Sequence, residues 1–343
     1  MLWQEEMGVK LADIIIKKDI SFDDLKNKRI AIDFSNVVYQ FLSNIRQLDG
    51  TPLMDKNGQV TSHLVGIFSR SANLIEKGIK ICYVFDGKPP LLKLKEREER
   101  EHRKRIAESK LKLAKEEESE EDILKYSKQI VRLTPEIISE SKELISALGL
   151  PVIQSPSESD AQSAFMCERG DVFAVGSQDY DSLLFGSPKS IQNLTLAQKR
   201  KLPGGAYVWI KPQLIDLKEN LEHLKITQDQ LLAIGILIGT DYNPGGVKGI
   251  GPKNALRLVQ QYKNFDKLFK EVKADFNWKE IYAVFKSMPV MKNYQLNWKP
   301  VNEEKIKKLL IDKHDFSEER VSNTLKKITN NDLNQSGLGK WVR

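Results

Sequence analysis

Arg29-Ile-Ala-Ile-Asp33 and Ile79-Lys-Ile-Cys-Tyr-Val-Phe-Asp-Gly87 are short β-prone runs, and each leads into a carboxylate. Between them helical periodicity runs from Val37 to Ile45 and again from Ser62 to Lys77, on Leu64, Ile67, Phe68, Ala72, Leu74 and Ile75. A turn-rich segment, Gln47 to Gly58, separates the two helices. Strand, helix, strand with short connections predicts an α/β fold with a mostly parallel central sheet and helices on both faces. The pattern returns with a helix over Pro135–Leu148, a strand over Pro151–Gln154, a helix over Ser157–Arg169 and a strand over Val172–Val175. Further strands are expected at Ser190–Leu194 and Ala206–Ile210. Beyond Thr227 the chain reads as helices, Gln230–Ile238 and Lys253–Tyr262 on either side of a glycine-rich turn, then packed helices to about Lys327.

A chain of 343 residues, 40% of them hydrophobic, has volume for one large or two modest cores. Its longest apolar run, Leu231 to Gly239, is too short to cross a bilayer, and Met1 to Gly8 lacks the apolar centre of a signal peptide. Cys82 and Cys167 lie in apolar segments without C-x-x-C spacing, so buried free thiols and an intracellular, cytoplasmic setting are expected. A net charge of +7, from 54 basic and 47 acidic residues, permits an anionic partner without naming one.

The acids say more. Asp33, Asp86 and the pair Asp179 and Asp181 stand at, or just past, the C-terminal ends of expected strands. In an open α/β sheet that edge is where loops converge on ligands. Glu158 and Asp160 open a helix, and Asp241 closes one. Each alone has an ordinary structural reading, as a first-turn acid or a turn Asp that caps its own backbone. Seven together do not, because two unit charges 4 Å apart interact by roughly 4 kcal/mol at an effective dielectric near 20. Convergence therefore demands cations. With no His or Cys cluster, hard divalent ions with oxygen ligands are expected, and two of them can drive phosphodiester hydrolysis.

Asn243-Pro-Gly-Gly-Val-Lys-Gly-Ile-Gly-Pro-Lys-Asn-Ala255 places Gly249 and Gly251 around Ile250, the form of a helix–hairpin–helix turn. Its backbone N–H groups and the next helix N-terminus suit a DNA phosphate, while Lys248 and Lys253 add charge without reading bases. A plain glycine-rich connection is the simpler alternative; beside the acid set, non-specific duplex binding is the stronger one. From Lys88 to Lys128 the character changes: Lys93 to Arg105 interleaves both charge signs with almost no apolar stripe, and Glu117 to Asp122 concentrates acid. That stretch is either an exposed helix held by i,i+4 pairs or a mobile helical element presenting Lys and Arg to phosphate.

Taken together, the motifs resemble the archaeal flap endonucleases, structure-specific 5′ nucleases, over nearly the whole chain from Met7. The likeness is carried by Ile32-Asp33, Tyr39-Gln-Phe-Leu42, Thr61-Ser-His-Leu64, Val84-Phe-Asp-Gly-Lys-Pro-Pro90, Pro156-Ser-Glu158, Ser177-Gln-Asp-Tyr-Asp-Ser-Leu-Leu-Phe-Gly186, Gly239-Thr-Asp-Tyr242, Gly249-Ile-Gly251 and Phe316-Ser-Glu-Glu-Arg320. The resemblance implies a metal-dependent hydrolase that cuts 5′ flaps at their base in DNA replication and repair, with 5′–3′ exonuclease activity and two Mg²⁺ ions. It implies one ion on Asp33, Asp86, Glu158 and Asp160 and a second on Asp179, Asp181 and Asp241, with some sharing. Lys93 and Arg100 match basic catalytic residues at the base of a helical arch, and Tyr39 matches an aromatic stacked on a base near the scissile phosphate. Arg46, Thr61 and Arg320 match a pocket for a one-nucleotide 3′ flap. The helix–hairpin–helix would hold the downstream duplex through Gly249, Gly251, Lys248 and Lys253, with a K⁺ ion.

At the end of the chain Gln335, Leu338 and Trp341 resemble a short sliding-clamp-binding motif, with Val342 where a second aromatic is expected. Two other departures stand out. Met1 to Glu6 precedes the family's usual start at Met7-Gly8, and Asp160 stands where the family usually has Glu. The expected organisation is 1–105, an N-terminal nuclease region; 106–128, the charged arch; 129–262, an internal nuclease region with the helix–hairpin–helix; 263–329, C-terminal helices; and 330–343, a flexible tail, in a monomer. An RNA-cleaving nuclease on a related acidic core is opposed by the hairpin and the arch. A non-catalytic DNA scaffold at the clamp is opposed by the acids, since a pure binder gains nothing from negative charge beside DNA.

Overall fold

The computed structural model describes residues 9–47, 49–196, 199–201, 205 and 207–337. Its strands are β1 (Lys18–Asp19), β2 (Arg29–Asp33), β3 (Lys80–Phe85), β4 (Val152–Gln154), β5 (Ala174–Gly176), β6 (Lys189–Gln192), β7 (Lys199–Lys201), β8 (Tyr207–Trp209) and β9 (Gln213–Asp216). Seven of them form one sheet in the order β1-β9-β6-β5-β2-β3-β4. The five from β6 to β4 run parallel, and β9 and β1 add an antiparallel edge.

Side chains alternate across β2 and β3 with the period of two that a strand imposes. Ile30, Ile32, Ile81, Tyr83 and Phe85 enter the core formed with helices Phe34–Asn44, Ser62–Glu76 and Pro135–Ala147. Ala31, Cys82, Val84 and Val175 enter another, with Met166 and Cys167 of the helix Ser159–Glu168. Helices on both faces bury the sheet, and this gives its central strands their continuous apolar character. From β2 the chain steps outward through β3 to β4, then returns to place β5 and β6 on the other side of β2. The strand order reverses between β2 and β5, and at such a switch point the adjoining connections diverge to leave a crevice.

A second apolar core gathers the helices Leu217–Leu224, Gln228–Ile238, Pro252–Gln261, Phe265–Glu271 and Trp278–Ser287 with Val9, Leu11, Ile14 and Ile15 from near the start of the chain. The chain then crosses back to the sheet. Trp298 Nε1 donates to the Ile81 carbonyl at 2.8 Å, and Lys299 N–H to that of Gly149 at 2.9 Å. Gly149, at φ +76°, permits this approach, because a Cβ there would lie 1.9 Å from the Lys299 oxygen. Residues 303–328 join the first core.

Several expectations change. The strand expected near Ala206–Ile210 is β8, but it pairs with β7 in a separate two-stranded ribbon. Tyr207, Val208 and Trp209 are all exposed there, so the strand has no buried face to join to the main sheet. The four-residue strand β9, paired on both sides between β1 and β6, and the helix Leu217–Leu224, capped by Asp216, are not among the expected elements, although Leu217, Leu221 and Leu224 on one face of that helix pack into the second core. The charged stretch folds as a helical hairpin, Leu94–Glu116 packed on Glu120–Ser127. The expected division at 105/106 falls inside its first helix, which runs on because Glu96 and Arg100 pair at i,i+4 and Ala107, Leu111 and Ala114 supply a buried stripe. The final helix, Glu318–Gly337, continues beyond Asn330, so the tail expected from that residue begins as helix. Gln335 falls on it, while Leu338 and Trp341 lie outside the described residues. Cys82 and Cys167 are buried free thiols, as expected. Among the described residues no helix is long and apolar enough to cross a membrane.

Candidate metal centre

Asp33 is the last residue of β2 and the N-cap of the following helix, where its Oδ1 accepts from Asn36 N–H at 3.3 Å and Ser159 Oγ at 3.0 Å. Asp86 follows β3 and accepts from Ser159 N–H at 2.7 Å. Glu158 is the N-cap of the helix Ser159–Glu168, and Asp160 lies in its first turn. Past β5, Asp179 accepts from Asn36 Nδ2 at 2.8 Å and Ser177 Oγ at 3.0 Å. Asp181 accepts the Val9 N–H at 2.9 Å. Asp241 arrives from the other core, just after the helix Gln228–Ile238.

All seven line one cavity of about 350 Å³ at the switch point, together with Tyr39, Lys93, Arg97 and Arg100. Within it Asp160, Asp179 and Asp181 each present an oxygen within 4.8 Å of the others. Asp160 Oδ1 is buried without a hydrogen-bond partner. Burial, and then the charge of Asp86, pushes the Asp33 carboxyl up to about 7. Asp179 is likewise pushed up to about 7, by burial and by Asp33. Burial and Asp179 hold Asp160 and Asp181 well above the ordinary carboxylate range.

Two acids are treated differently. Lys93 Nζ lies 2.5 Å from Glu158 Oε2 and 3.0 Å from Asp241 Oδ2, and Arg100 Nη2 lies 3.0 Å from Asp241 Oδ1. Burial would raise Asp241, but Lys93 and Arg100 outweigh it and hold its carboxyl below the usual range. Burial raises Glu158 despite the opposing Lys93. For Lys93 itself, burial is overcome by Asp241 and Glu158, which keep the ammonium firmly charged. Glu96, one turn before Arg100, bonds its guanidinium from the other side. Lys93 and Arg100 thus offset the charges of Glu158 and Asp241, and Asp33, Asp160, Asp179 and Asp181 are left crowded. The two ligand sets that the resemblance implied meet in Asp160, which stands with Asp179 and Asp181.

An orphaned buried oxygen, carboxyls lifted by mutual repulsion and an all-oxygen donor set fit hard divalent cations. Neither His nor Cys is among the residues lining the cavity, as zinc or a softer metal would favour. Val9, Asn36, Ser159 and Glu96 escaped sequence reasoning. Asn36, three residues after Asp33, and Ser159, between Glu158 and Asp160, had a local signal. Val9 is 172 positions from Asp181 and had none.

The other expected residues lie outside the acid cluster. Tyr39 lines the cavity, with Lys104 Nζ 5.9 Å from its ring centre. Arg46 Nη1 donates to the Gly50 carbonyl at 2.7 Å, and Thr61 is buried directly before the helix Ser62–Glu76. Arg320 lies in the first turn of the last helix. In the hairpin Gly249 takes φ +83°, and a Cβ on it or on Gly251 would meet nothing within 4 Å. Their smooth backbone is therefore open to a partner from outside the chain. Lys248 and Lys253 are exposed beside them, and Ile250 anchors the turn in the second core.

Comparison with known proteins matches residues 7–107 to the XPG N-terminal domain and residues 149–241 to the XPG I-region. Flap endonuclease 1 of Pyrococcus horikoshii is 50% identical over 324 residues, 94% of this chain and 94% of that protein. Flap endonuclease 1 of Pyrococcus furiosus is 48% identical over 341 residues, covering 98% of this chain and all of that one. The solved structure of flap endonuclease-1 from Methanococcus jannaschii superposes with a TM-score of 0.76 at 43% identity, covering 96% of this chain and 100% of that one.

Proposed function

The chain belongs to the flap endonuclease family and is a metal-dependent nuclease acting on phosphodiester bonds; we propose that it cuts 5′ flaps at their base with two Mg²⁺ ions held by the seven acids. The observation that carries this reading is the trio Asp160, Asp179 and Asp181 at the switch point, one oxygen unpartnered, beside the cationic arch base. Bound there, a pair of divalent ions would activate a water and stabilise the leaving oxygen. Lys93 and Arg100, now paired with Glu158 and Asp241, are placed to turn to the scissile phosphate once other cations take up those carboxylates. Tyr39 offers its ring to a base beside that phosphate.

Further from the chemistry, Gly249, Gly251, Lys248 and Lys253 hold the downstream duplex by its phosphates, with K⁺ as the ion at that turn. Arg46, Thr61 and Arg320 receive a one-nucleotide 3′ flap. Gln335, Leu338 and Trp341 recruit a sliding clamp, consistent with work as a cytoplasmic monomer in replication and repair. The test is a labelled double-flap DNA incubated with and without Mg²⁺, with single-stranded RNA alongside. A Mg²⁺-dependent cut at the flap base is expected. Asp181→Ala should abolish it while binding in Ca²⁺ survives; loss of binding as well, in a folded variant, would refute the metal role.

A further inference from the structure

Asp55, His314, Glu140 and His63 form a chain of polar side chains away from the acid cavity. Asp55 Oδ1 accepts the N–H groups of Asn57 and Gln59, both at 2.9 Å, and closes the tip of a hairpin-like segment. Isolated bridges Arg46–Pro52 and Met54–Val60 form its stem, so Arg46 enters the segment and Thr61 leaves it. Asp55 Oδ2 faces His314 Nδ1 at 2.9 Å, with both side chains fully shut off from solvent. On the far side of the ring, His314 Nε2 faces Glu140 Oε1 at 3.1 Å. Lys313 Nζ donates to the same oxygen at 2.7 Å. Glu140 Oε2 lies 3.4 Å from Nε2 of His63, which is wholly buried two residues after Thr61.

The set is not a metal site. Each ring nitrogen of His314 already faces a carboxylate, and the converging metal-ligand group among the described residues is the one in the acid cavity. What the chain does is mechanical. It fastens the tip of the 46–61 segment to the residue six positions before Arg320. The neighbouring Lys56–Asp315 ion pair is exposed on its lysine side and adds little. Buried, hydrogen-bonded partners are the ones that hold a loop in a single geometry.

We propose that His314, bonded to Asp55, is the positioning residue of the 3′-flap pocket and sets the preference for a substrate carrying a one-nucleotide 3′ flap. The inference rests on reading Arg46, Thr61 and Arg320 as that pocket. Because the fastening orders the pocket before substrate arrives, its loss falls on binding of the 3′ nucleotide rather than on the chemical step.

The experiment measures kcat and KM for two DNA substrates with identical 5′ flaps, one with and one without the 3′ nucleotide. His314→Gln keeps bulk but donates through one nitrogen only. Asp55→Asn leaves an oxygen for the Asn57 and Gln59 N–H groups, and stands in if the first variant unfolds. In each, the KM advantage given by the 3′ nucleotide should shrink roughly tenfold, the factor expected for losing one charge-assisted hydrogen bond. Both constants on the plain flap should stay unchanged, and the double variant should be no worse than either single one. Arg320→Ala runs in parallel. If it erases the preference while His314→Gln and Asp55→Asn keep it, the inference is overturned and the pocket stands. If Arg320→Ala keeps the preference, the pocket reading falls and takes this inference with it. Equal losses on both substrates would show general destabilisation and also overturn it.

Discussion

Replacing Asp179 by Asn removes one charge from the crowded quartet of Asp33, Asp160, Asp179 and Asp181, and its effect on stability has a calculable sign. Burial and the neighbouring Asp33 push the Asp179 carboxyl up to about 7 in the folded protein, against an ordinary 3.8. A group raised in this way contributes its stability fully below the ordinary value and loses it as pH rises through the folded one. Between 3.8 and about 7 the loss amounts to about 4 kcal/mol. At pH 8 without metal the wild-type protein therefore carries a strain that the amide relieves. Urea unfolding in EDTA should find Asp179→Asn more stable by up to about 4 kcal/mol at pH 8 and nearly equal to wild type at pH 4. In excess Mg²⁺ the order should reverse if Asp179 holds an ion as proposed, because ions that bind only the folded state stabilise it. A variant no more stable than wild type at pH 8 in EDTA would refute the electrostatic reading of the cluster.

Lys248→Ala with Lys253→Ala should weaken duplex-containing substrates irrespective of sequence and flatten the plot of log K against log salt, whose slope is about −0.9 per neutralised phosphate; an unchanged slope would mean that these lysines face only water. Asp160→Glu adds reach to an acid with an unpartnered oxygen, so cleavage in Mg²⁺ should hold or rise, and a severe loss would show a backbone adjusted to the shorter arm. Burial depresses His63 from 6.5 to about 4, so the stability it contributes as a neutral ring is present above pH 6.5 and falls away as pH drops toward 4, by about 3 kcal/mol. His63→Asn should make the acid limb of a urea-stability profile shallower; a profile parallel to wild type counts against this. Truncation after Asn334 and Trp341→Ala should each weaken binding of the cognate sliding clamp in titration calorimetry, and unchanged affinity would place the clamp contact elsewhere.

Much was legible along the chain because it is local. The run Arg29–Asp33 is a strand at the expected limits, since a short continuous run of β-prone apolar residues requires nothing distant to be recognised. The seven acids could be singled out as strand-end and helix-end carboxylates, and the chemistry of hard cations followed from the lack of His or Cys beside them. The glycine turn was readable because Gly249 needs a left-handed backbone that few residues adopt. The charged hairpin showed its charge but not its limits, for the first part of its long helix has almost no apolar stripe and the buried Ala107, Leu111 and Ala114 come only in its second half.

What tertiary structure alone decided is which groups meet. The family resemblance implied one set of acids for Asp160; packing placed its oxygen beside Asp179 and Asp181, because strand order reverses between β2 and β5. Nothing near Val9 announces that its N–H will hold Asp181, and nothing near His314 announces Asp55. Local propensity acts over a turn or two of chain, whereas these contacts span 172 and 259 residues and exist only once two cores have closed around them. The residues determined what chemistry was available, and the crossing of the chain between those cores determined which of them stand together.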